Sequence, residues 1–278
     1  MNVRIVTDSA CDLTEAEIEA HSITVVPLSI RFGEDVQLDR DEISVDDFYQ
    51  RMASSEELPE TAAPSPGAFA QVFQQRLTEG ADAVVCINLS SGVSATMESS
   101  QLGAREVDGD IRIVDSRSVT AGLGNMVIAA AKAAKAGLSA DEIVALVEDI
   151  RNRTRVYGAI DTLENLKKGG RIGNAQALLG SMLSIKPLID ISTGVVEEAG
   201  RQRTRKKSLA WLRDKVAEHS DEIETLSVMH AQADDIDDLI TMLSDFVDPT
   251  TIRIGVIGPV VASHGGPGLV GLCFTLRP

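Results

Sequence analysis

Residues 3–17 read VRIVTDSACDLTEAE and contain the signals for a first strand and a first helix. The apolar run Val3 to Thr7 predicts a buried strand that ends at Asp8. Thr14 and Glu17 have the spacing of a capping box, in which each side chain accepts a hydrogen bond from the backbone N–H of the other residue at a helix start. The segment therefore predicts a strand that is followed directly by a helix.

The first half of the chain continues this alternation of strands and helices. Further strands are predicted at residues 23–30, 83–89 and 111–114, and further helices begin after Ser44, at Pro66 and at residue 119. The last of these helices is rich in alanine and ends before Gly137. Strands and helices that alternate in this way form a largely parallel sheet, so the first half predicts an α/β fold.

The pattern changes after residue 155. The predicted strands of the second half are 156–160, 183–191, 195–199, 225–229, 252–257 and 269–276, and the predicted helices are 162–168, 175–182, one around Trp211, and 236–246. Ser192-Thr193-Gly194 separates two of these strands and predicts a hairpin. We expect an N-terminal α/β domain over residues 1–155 and a C-terminal α+β domain over residues 156–278.

The composition argues against several classes of protein. The chain has 278 residues, a formal net charge of −16 and a pI near 4.6. Nucleic acid and anionic lipid repel an acidic protein, which argues against a general nucleic-acid binder and against adhesion to membranes. The first nine residues lack the pattern of a signal peptide, and no window reaches about 18 continuous apolar residues. We therefore expect a cytoplasmic protein without stable membrane insertion.

The cysteines give no sign of a metal site or a disulfide framework. Cys11, Cys86 and Cys273 are odd in number and show no Cys-x-x-Cys spacing. Buried, inert thiols are the expected state, and no metal is expected.

Four polar segments lie next to the predicted strands and helices of the first half. They are Asp8-Ser9, residues 61–66, residues 90–96 and Asp115-Ser116. Because loops at the ends of parallel strands gather at one sheet edge, several of these segments are expected to converge. Their hydroxyl groups are compact neutral donors that suit a carboxylate or phosphate oxygen. Ser and Thr are also ordinary helix caps, and that alternative stays open.

A glycine-framed histidine lies near the end of the chain. His264 precedes Gly265-Gly266-Pro267-Gly268 and follows the apolar run 252–257, so we predict that it lies in a loop after a strand. A rigid loop of this composition lets the backbone approach a ligand closely. His264 is therefore a candidate ligand anchor, and the alternative is an idle residue in a surface turn.

Basic residues form two groups in the second half. Arg171 follows Gly169-Gly170, where its guanidinium can pair with a ligand carboxylate or with Asp161. A dense basic run comprises Arg201, Arg203, Arg205, Lys206 and Lys207. Such a run attracts an acidic partner or a phosphate, although a solvated helix start is the commoner explanation.

In combination, these motifs resemble the DegV family of fatty-acid-binding proteins, the acyl-carrying subunits of bacterial fatty acid kinase. The resemblance extends over the whole chain. Its motifs are Val6-Thr7-Asp8-Ser9, Thr61 with Pro64-Ser65-Pro66, Ser90-Ser91 with Ser94 and Thr96, Asp115-Ser116, Asp161-Thr162-Leu163, Lys167-Lys168-Gly169-Gly170-Arg171, Ile185-Lys186-Pro187, Arg203-Thr204-Arg205, and the His264 segment.

The resemblance implies a long-chain fatty acid, such as palmitate, in an apolar tunnel with its carboxylate near the domain junction. By analogy Thr61 and His264 hold the carboxylate, His264 as a protonatable group, with Ser94 close by. Supporting roles fall to further residues: Asp8, Ser9 and Gly265 in the loops, and Arg171, Arg203 and Arg205 in phosphoryl transfer or kinase docking. A separate ATP-dependent fatty acid kinase then forms the acyl phosphate. The chain itself is implied to be a non-catalytic carrier without a cofactor, because ATP and metal belong to the kinase.

Three positions depart from the pattern that this resemblance implies. Ala62 and Ala95 stand where relatives often have serine and glycine, and Gly265 stands where they usually have threonine. We therefore expect fewer polar contacts to the head group than in those relatives.

Two enzyme classes remain as alternatives. An acyl hydrolase could use Ser94, His264 and Asp8, although no Gly-x-Ser-x-Gly elbow surrounds Ser94. A nucleotide-binding enzyme would also use Gly and Ser loops, but the phosphate-binding loop motif and the dinucleotide fingerprint are both absent from the sequence.

Overall fold

The computed structural model describes residues 1–55, 57–178 and 185–278 of the chain. These residues form two compact units. The first comprises Met1–Asn152 with Gly258–Val260, and the second comprises Arg153–Ile257 with Val261–Pro278. The chain therefore passes from one unit to the other three times, whereas the sequence suggested a single boundary at residue 155.

The first unit contains seven strands and six α-helices within the described residues. The strands are β1 (Val3–Asp8), β2 (Thr24–Val26), β3 (Ser29–Phe32), β4 (Asp35–Leu38), β5 (Glu60–Ala62), β6 (Ala83–Asn88) and β7 (Ile111–Asp115). The helices are α1 (Glu15–His21), α2 (Val45–Ser54), α3 (Pro66–Thr78), α4 (Thr96–Arg105), α5 (Thr120–Lys135) and α6 (Ala140–Arg153).

A four-stranded parallel sheet of order β2-β1-β6-β7 forms the centre of this unit. Every residue of β6 is buried, as expected for a strand with both faces covered. Val6 and Cys86 of this sheet pack against Phe69 and Phe73 of α3. The α/β prediction for the first half is confirmed.

The predicted helix starts of this unit are also confirmed. Thr14 and Glu17 form the complete capping box at α1, and the Ser44 side chain accepts a hydrogen bond from the backbone N–H of Asp47 at α2. Ser65 caps α3 in the same way, directly before Pro66. Local polar pairs of this kind depend on a few adjacent residues, which is why the sequence reveals them.

The predicted strand 23–30 is wrong as a single element. The chain forms β2 before Pro27 and β3 after residue 28, and the two strands enter different sheets. Proline donates no backbone hydrogen bond, so a continuous central strand through Pro27 is disfavoured. Strand β3 instead pairs antiparallel with β4 and β5 in a small sheet that the sequence did not predict. Thr61 lies in β5, not in a loop.

The second unit contains a six-stranded mixed sheet. Its strands are β8 (Thr154–Ala159), β9 (Lys186–Asp190), β10 (Glu197–Gln202), β11 (Ile223–His230), β12 (Arg253–Val256) and β13 (Val270–Leu276), in the order β10-β9-β8-β13-β11-β12. Only β11 and β12 pair in parallel among these described strands. The predicted hairpin is confirmed by the antiparallel pairing of β9 with β10.

The helices of the second unit are α7 (Glu164–Lys168), α8 (Arg205–Ala217), α9 (Ile236–Leu243) and α10 (Pro259–Gly265). The first residues of α10, Pro259 and Val260, belong to the first unit. Helices α8 and α9 cover one face of the sheet, where Leu212, Val228 and Leu239 are fully buried. Trp211 packs edge-on against Tyr157 of β8, with the ring centroids 5.6 Å apart. No helix in the described part of the chain combines the length and the apolar composition that a membrane crossing needs.

Two predictions for the second half need correction. Where a helix was predicted over residues 175–182, the chain forms a 3-10 helix at Gly173–Leu178. The rest of that prediction and the start of the predicted strand 183–191 fall on residues 179–184, which lie outside the described residues. His264 lies in the last turn of α10, not in a loop. Proline is well suited to a first helical position, and apolar residues follow it, so Pro259 begins a helix where the sequence suggested a rigid loop.

The close contact between α3 and α4 depends on Gly103. A β-carbon at this position would lie 2.5 Å from the Pro66 carbonyl oxygen and 2.9 Å from the Phe69 β-carbon. We expect Gly103→Ala to lower the free energy of unfolding by about 1–3 kcal/mol, because backbone would have to move. Denaturant titration measures this difference. Gly67→Ala is the control, since its nearest neighbour would be the Ser65 hydroxyl oxygen at 3.9 Å; equal stability losses in both variants would contradict the account.

Candidate functional site

The imidazole of His264 lies against Gly169, the residue that follows α7. A β-carbon at residue 169 would lie 2.9 Å from the His264 Cε1 atom and closer still to Nδ1. Any other amino acid at residue 169 would therefore push the ring away. The glycine pair was noted in the sequence only for its neighbour Arg171, and its role as the seat of His264 was missed.

Arg171 contacts the same glycine. Its Nη1 atom donates a hydrogen bond to the carbonyl oxygen of Gly169 at 2.8 Å. Burial and, to a smaller extent, the positive charge of Arg171 lower the pKa of His264 to about 4. The ring is therefore neutral at pH 7, with one N–H donor and one acceptor nitrogen.

Close packing against Leu269 accounts for glycine at residue 265. A β-carbon there would lie 2.5 Å from the Cδ2 atom of Leu269, which is buried. A threonine at this position would require Leu269 to move. Glycine at residue 265, where the resemblance implies threonine, therefore leaves room for the side chain of Leu269.

The predicted pairing of Arg171 with Asp161 is not found in the described residues. Asp161 instead pairs with Lys186 of β9 at 2.8 Å and, more distantly, with Arg205 at 3.8 Å. Arg205 makes a two-pronged contact with Asp235, at 2.7 and 2.8 Å, and this contact lowers the pKa of Asp235. Arg205 is therefore part of an internal ion-pair network, whereas Arg203 is exposed and has no carboxylate partner among residues 1–55, 57–178 and 185–278.

Asp8 and Ser9 fix the loops at the carboxyl end of β1. The buried carboxylate of Asp8 accepts hydrogen bonds from the backbone N–H groups of Ala10 and Leu89 at 3.2 and 2.8 Å, and from the Asn88 amide at 3.2 Å. The Ser9 hydroxyl accepts from the Leu28 N–H at 3.1 Å. Burial outweighs these bonds and raises the pKa of Asp8 to about 6.

The other hydroxyl groups of the first unit mostly support local turns. The Ser94 and Thr96 hydroxyl oxygens lie 2.9 Å apart at the start of α4. Ser91 donates to Asp115 at 2.5 Å. Thr61, on β5, is paired in register with Ile30 of β3. Thr61 and Ser94 thus belong to the first unit and His264 to the second, and their joint carboxylate site stays a prediction.

A cluster of charged residues around Arg40 was not predicted from the sequence. The Arg40 guanidinium donates to the Leu13 carbonyl at 2.7 Å and to Asp12 at 3.2 Å. A β-carbon on Gly258 would lie 2.5 Å from Asp12 Oδ1, so the chain just before Pro259 lies directly on this ion pair. These contacts join residues that are distant in sequence, and no local motif signals them.

Asp39, beside Arg40, is the second buried acid of this cluster. Only 1% of its surface is exposed. Burial raises its pKa to about 6, and the neighbouring Ser9 hydroxyl and Arg40 charge only partly oppose this effect. Asp8 lies close enough for its carboxylate and that of Asp39 to repel each other. Two adjacent carboxyl groups therefore hold protons unusually tightly.

The fold and these motifs agree with known proteins over the whole chain. The sequence model of the DegV family, described as uncharacterised proteins, matches residues 2–277. A DegV domain-containing protein from Deinococcus radiodurans is 37% identical over 280 residues, which cover 99% of this chain and 98% of that one.

Two solved structures have the same fold. A DegV family protein from Thermus thermophilus, described as fatty acid binding, is 32% identical with a TM-score of 0.90, over 99% of this chain and 100% of that one. A stearic acid-binding protein from Eubacterium ventriosum is 28% identical with a TM-score of 0.88, over 99% and 98%. The molecule is thus an α/β protein with the fold of these fatty-acid-binding structures. It belongs to the DegV family.

The buried acid Asp39 predicts a pH dependence of stability. Because the folded protein holds this proton more tightly than the unfolded chain, ionisation of Asp39 destabilises the fold as the pH rises from about 4 through 6. An asparagine side chain does not ionise, so Asp39→Asn should raise the free energy of unfolding at pH 8 by about 2 kcal/mol and leave it nearly unchanged at pH 4. Urea titrations at the two pH values measure the difference.

Asp41→Asn removes the same charge at an exposed neighbouring position and is the matched control. It should show no comparable gain between pH 4 and pH 8. An Asp39→Asn protein that is less stable than the parent at both pH values would contradict this account of Asp39.

Proposed function

We propose that this protein binds a long-chain fatty acid, with the carboxylate held by Thr61, Ser94 and His264 and the acyl chain in an apolar tunnel. The observation that carries the proposal is the neutral imidazole of His264, seated on Gly169 beside Arg171. The solved relatives described as fatty acid binding support the same ligand class.

The chemistry around His264 suits a carboxylate head group. A neutral imidazole can donate one N–H to a carboxylate oxygen, and the nearby guanidinium of Arg171 adds positive charge. A bound carboxylate would in turn favour protonation of the ring and raise the pKa of His264 from about 4. Hydroxyl donors on Thr61 and Ser94 would complete the head-group contacts without burying another charge.

The acyl chain supplies most of the affinity in this proposal. Each buried methylene contributes about 0.8 kcal/mol, so a chain of palmitate length outweighs the head group several times over. Association itself costs at least about 4 kcal/mol. Head-group contacts then determine where the carboxylate lies, and their loss lowers affinity without abolishing it.

We further propose that the protein presents its fatty acid to the ATP-dependent subunit of a fatty acid kinase. In this scheme Arg171 faces the acyl phosphate, and the exposed Arg203 contributes to kinase docking. The kinase supplies ATP and metal, so the carrier needs no cofactor. Arg205 also makes a bidentate contact with Asp235, so we expect its substitution to affect stability as well as docking.

The acyl hydrolase alternative gains no support from Asp8. A catalytic aspartate orients a histidine through its carboxylate oxygens. Three donors from Ala10, Asn88 and Leu89 already occupy the carboxylate of Asp8. We therefore expect no ester hydrolysis by the purified protein. Ester hydrolysis that is lost in Ser94→Ala would instead support the acyl hydrolase alternative.

The central prediction concerns the ligand and its head group. Solvent extraction of the protein purified from a bacterial host, followed by mass spectrometry, should release a stoichiometric long-chain fatty acid. His264→Ala and Thr61→Ala should each weaken palmitate binding by roughly 10- to 100-fold, as expected for hydrogen bonds to a charged group. Fluorescence competition against delipidated protein measures the affinities.

His21→Ala and Thr241→Ala are matched controls, since His21 lies on α1 and Thr241 is exposed on α9. Both should bind palmitate like the parent. No fatty acid in the extract together with no uptake of added palmitate would refute the function. Normal affinity in both His264→Ala and Thr61→Ala would refute the head-group assignment alone.

A second prediction separates docking from stability within the basic run. Arg203→Ala should lower acyl-phosphate formation by an added fatty acid kinase at least tenfold, while palmitate affinity and thermal stability stay unchanged. Arg205→Ala should lower the free energy of unfolding by about 1–3 kcal/mol, because the partly buried Asp235 loses both hydrogen bonds that Arg205 donates. Kinase assays and denaturant titration measure the two effects. The proposal would be contradicted if Arg203→Ala lowered stability and Arg205→Ala lowered acyl-phosphate formation without a loss of stability.

A further inference from the structure

A single buried side chain links α7 to the backbone around His264. Asn165 lies on α7 and is 5% exposed. Its side-chain amide donates a hydrogen bond to the carbonyl oxygen of Ser263 at 3.3 Å. Ser263 directly precedes His264, so the amide of Asn165 restrains α10 at the turn that carries the imidazole.

The same side chain also contacts the residue that follows α10. Gly266 has a φ of +78°, and a β-carbon there would lie 3.1 Å from the Oδ1 atom and 3.2 Å from the Cγ atom of Asn165. A left-handed φ favours glycine, and the Asn165 amide occupies the space that a side chain would need. Asn165 therefore contacts the chain both two residues after His264 and one residue before it.

The backbone of Asn165 holds Gly169, the residue against which the imidazole packs. Its carbonyl oxygen accepts a hydrogen bond from the Gly169 N–H at 2.9 Å and ends α7 there. The ring of His264 lies on this glycine. One residue thus restrains the backbone that carries the ring and the surface on which the ring rests.

We propose that Asn165 is the positioning residue for His264, holding the imidazole in the place from which it binds the fatty-acid carboxylate. This inference rests on the proposed function of His264. A hydrophobic residue of similar size would fill the same volume but leave the Ser263 carbonyl without the amide. An ordinary packing role predicts a loss of stability alone, whereas a positioning role predicts changes that are specific to the ring.

The test uses the full chain with Asn165→Ala. NMR titration of the ligand-free protein should show the pKa of His264 rising from about 4 towards its ordinary value, because a released ring gains solvent and moves from Arg171. Palmitate affinity should fall roughly five- to tenfold, the equivalent of about one hydrogen bond. Asn174→Ala is the control, since its amide binds Glu197 at 3.0 Å elsewhere in the same unit, and it should change neither quantity.

The decisive comparison repeats the substitution in a His264→Ala background. If Asn165 acts through the ring, Asn165→Ala should cause no further loss of palmitate affinity there. An equal loss in both backgrounds, or an unchanged titration of His264 in the single variant, would overturn the proposal. Should Asn165→Ala fail to fold, Asn165→Leu keeps the buried volume and carries the same expectations.

Failure of the proposed function would be recognised separately. If His264→Ala itself binds palmitate normally, the part of the proposed function that assigns the carboxylate to His264 fails, whatever Asn165 does. The titration of His264 in the ligand-free protein tests the positioning by Asn165 without any fatty acid, so each idea can fail independently.

Discussion

The imidazole of His264 can lie on the end of α7 only because residue 169 has no side chain. This contact brings the ring close to Arg171, which folds back onto the Gly169 carbonyl, and the burial that results keeps the ring neutral at pH 7. In the proposed complex, the neutral ring would donate its N–H to the fatty-acid carboxylate without the cost of a second buried charge. The placement of His264 and Arg171 in the candidate site therefore depends on glycine at residue 169.

The two units use buried charge in different ways. In the first unit, burial raises the pKa values of the Asp8 and Asp39 carboxyl groups, and the carboxylate of Asp8 accepts hydrogen bonds from the loops that follow β1 and β6. In the second unit, Arg205 and Asp235 form a direct bidentate ion pair, and this pairing lowers the pKa of Asp235. Arg203 is exposed and has no carboxylate partner in the described part of the chain. A partner protein could therefore contact Arg203 without breaking an ion pair.

Local signals allowed much of the fold to be predicted, while the site depended on contacts that the sequence does not display. Helix caps such as Thr14 and Ser44 involve residues three apart, and the buried strand β6 is apolar along most of its length, so both were predictable. The small antiparallel sheet was missed because Pro27 divides an apolar run that looks continuous. His264 was expected in a loop because glycine and proline surround it, yet Pro259 begins a helix. The contacts of Asn165 and Gly169 with the His264 segment join parts of the chain that are distant in sequence and follow from tertiary packing alone.

In the proposed function, the carboxylate of a long-chain fatty acid binds beside the imidazole of His264. NMR titration of His264 in the delipidated protein and in the protein saturated with palmitate tests it most directly. Palmitate should raise the pKa of His264 from about 4 by more than about one unit, since an adjacent carboxylate favours the charged ring. A pKa that does not change when palmitate is bound would contradict it, because the carboxylate would then lie elsewhere.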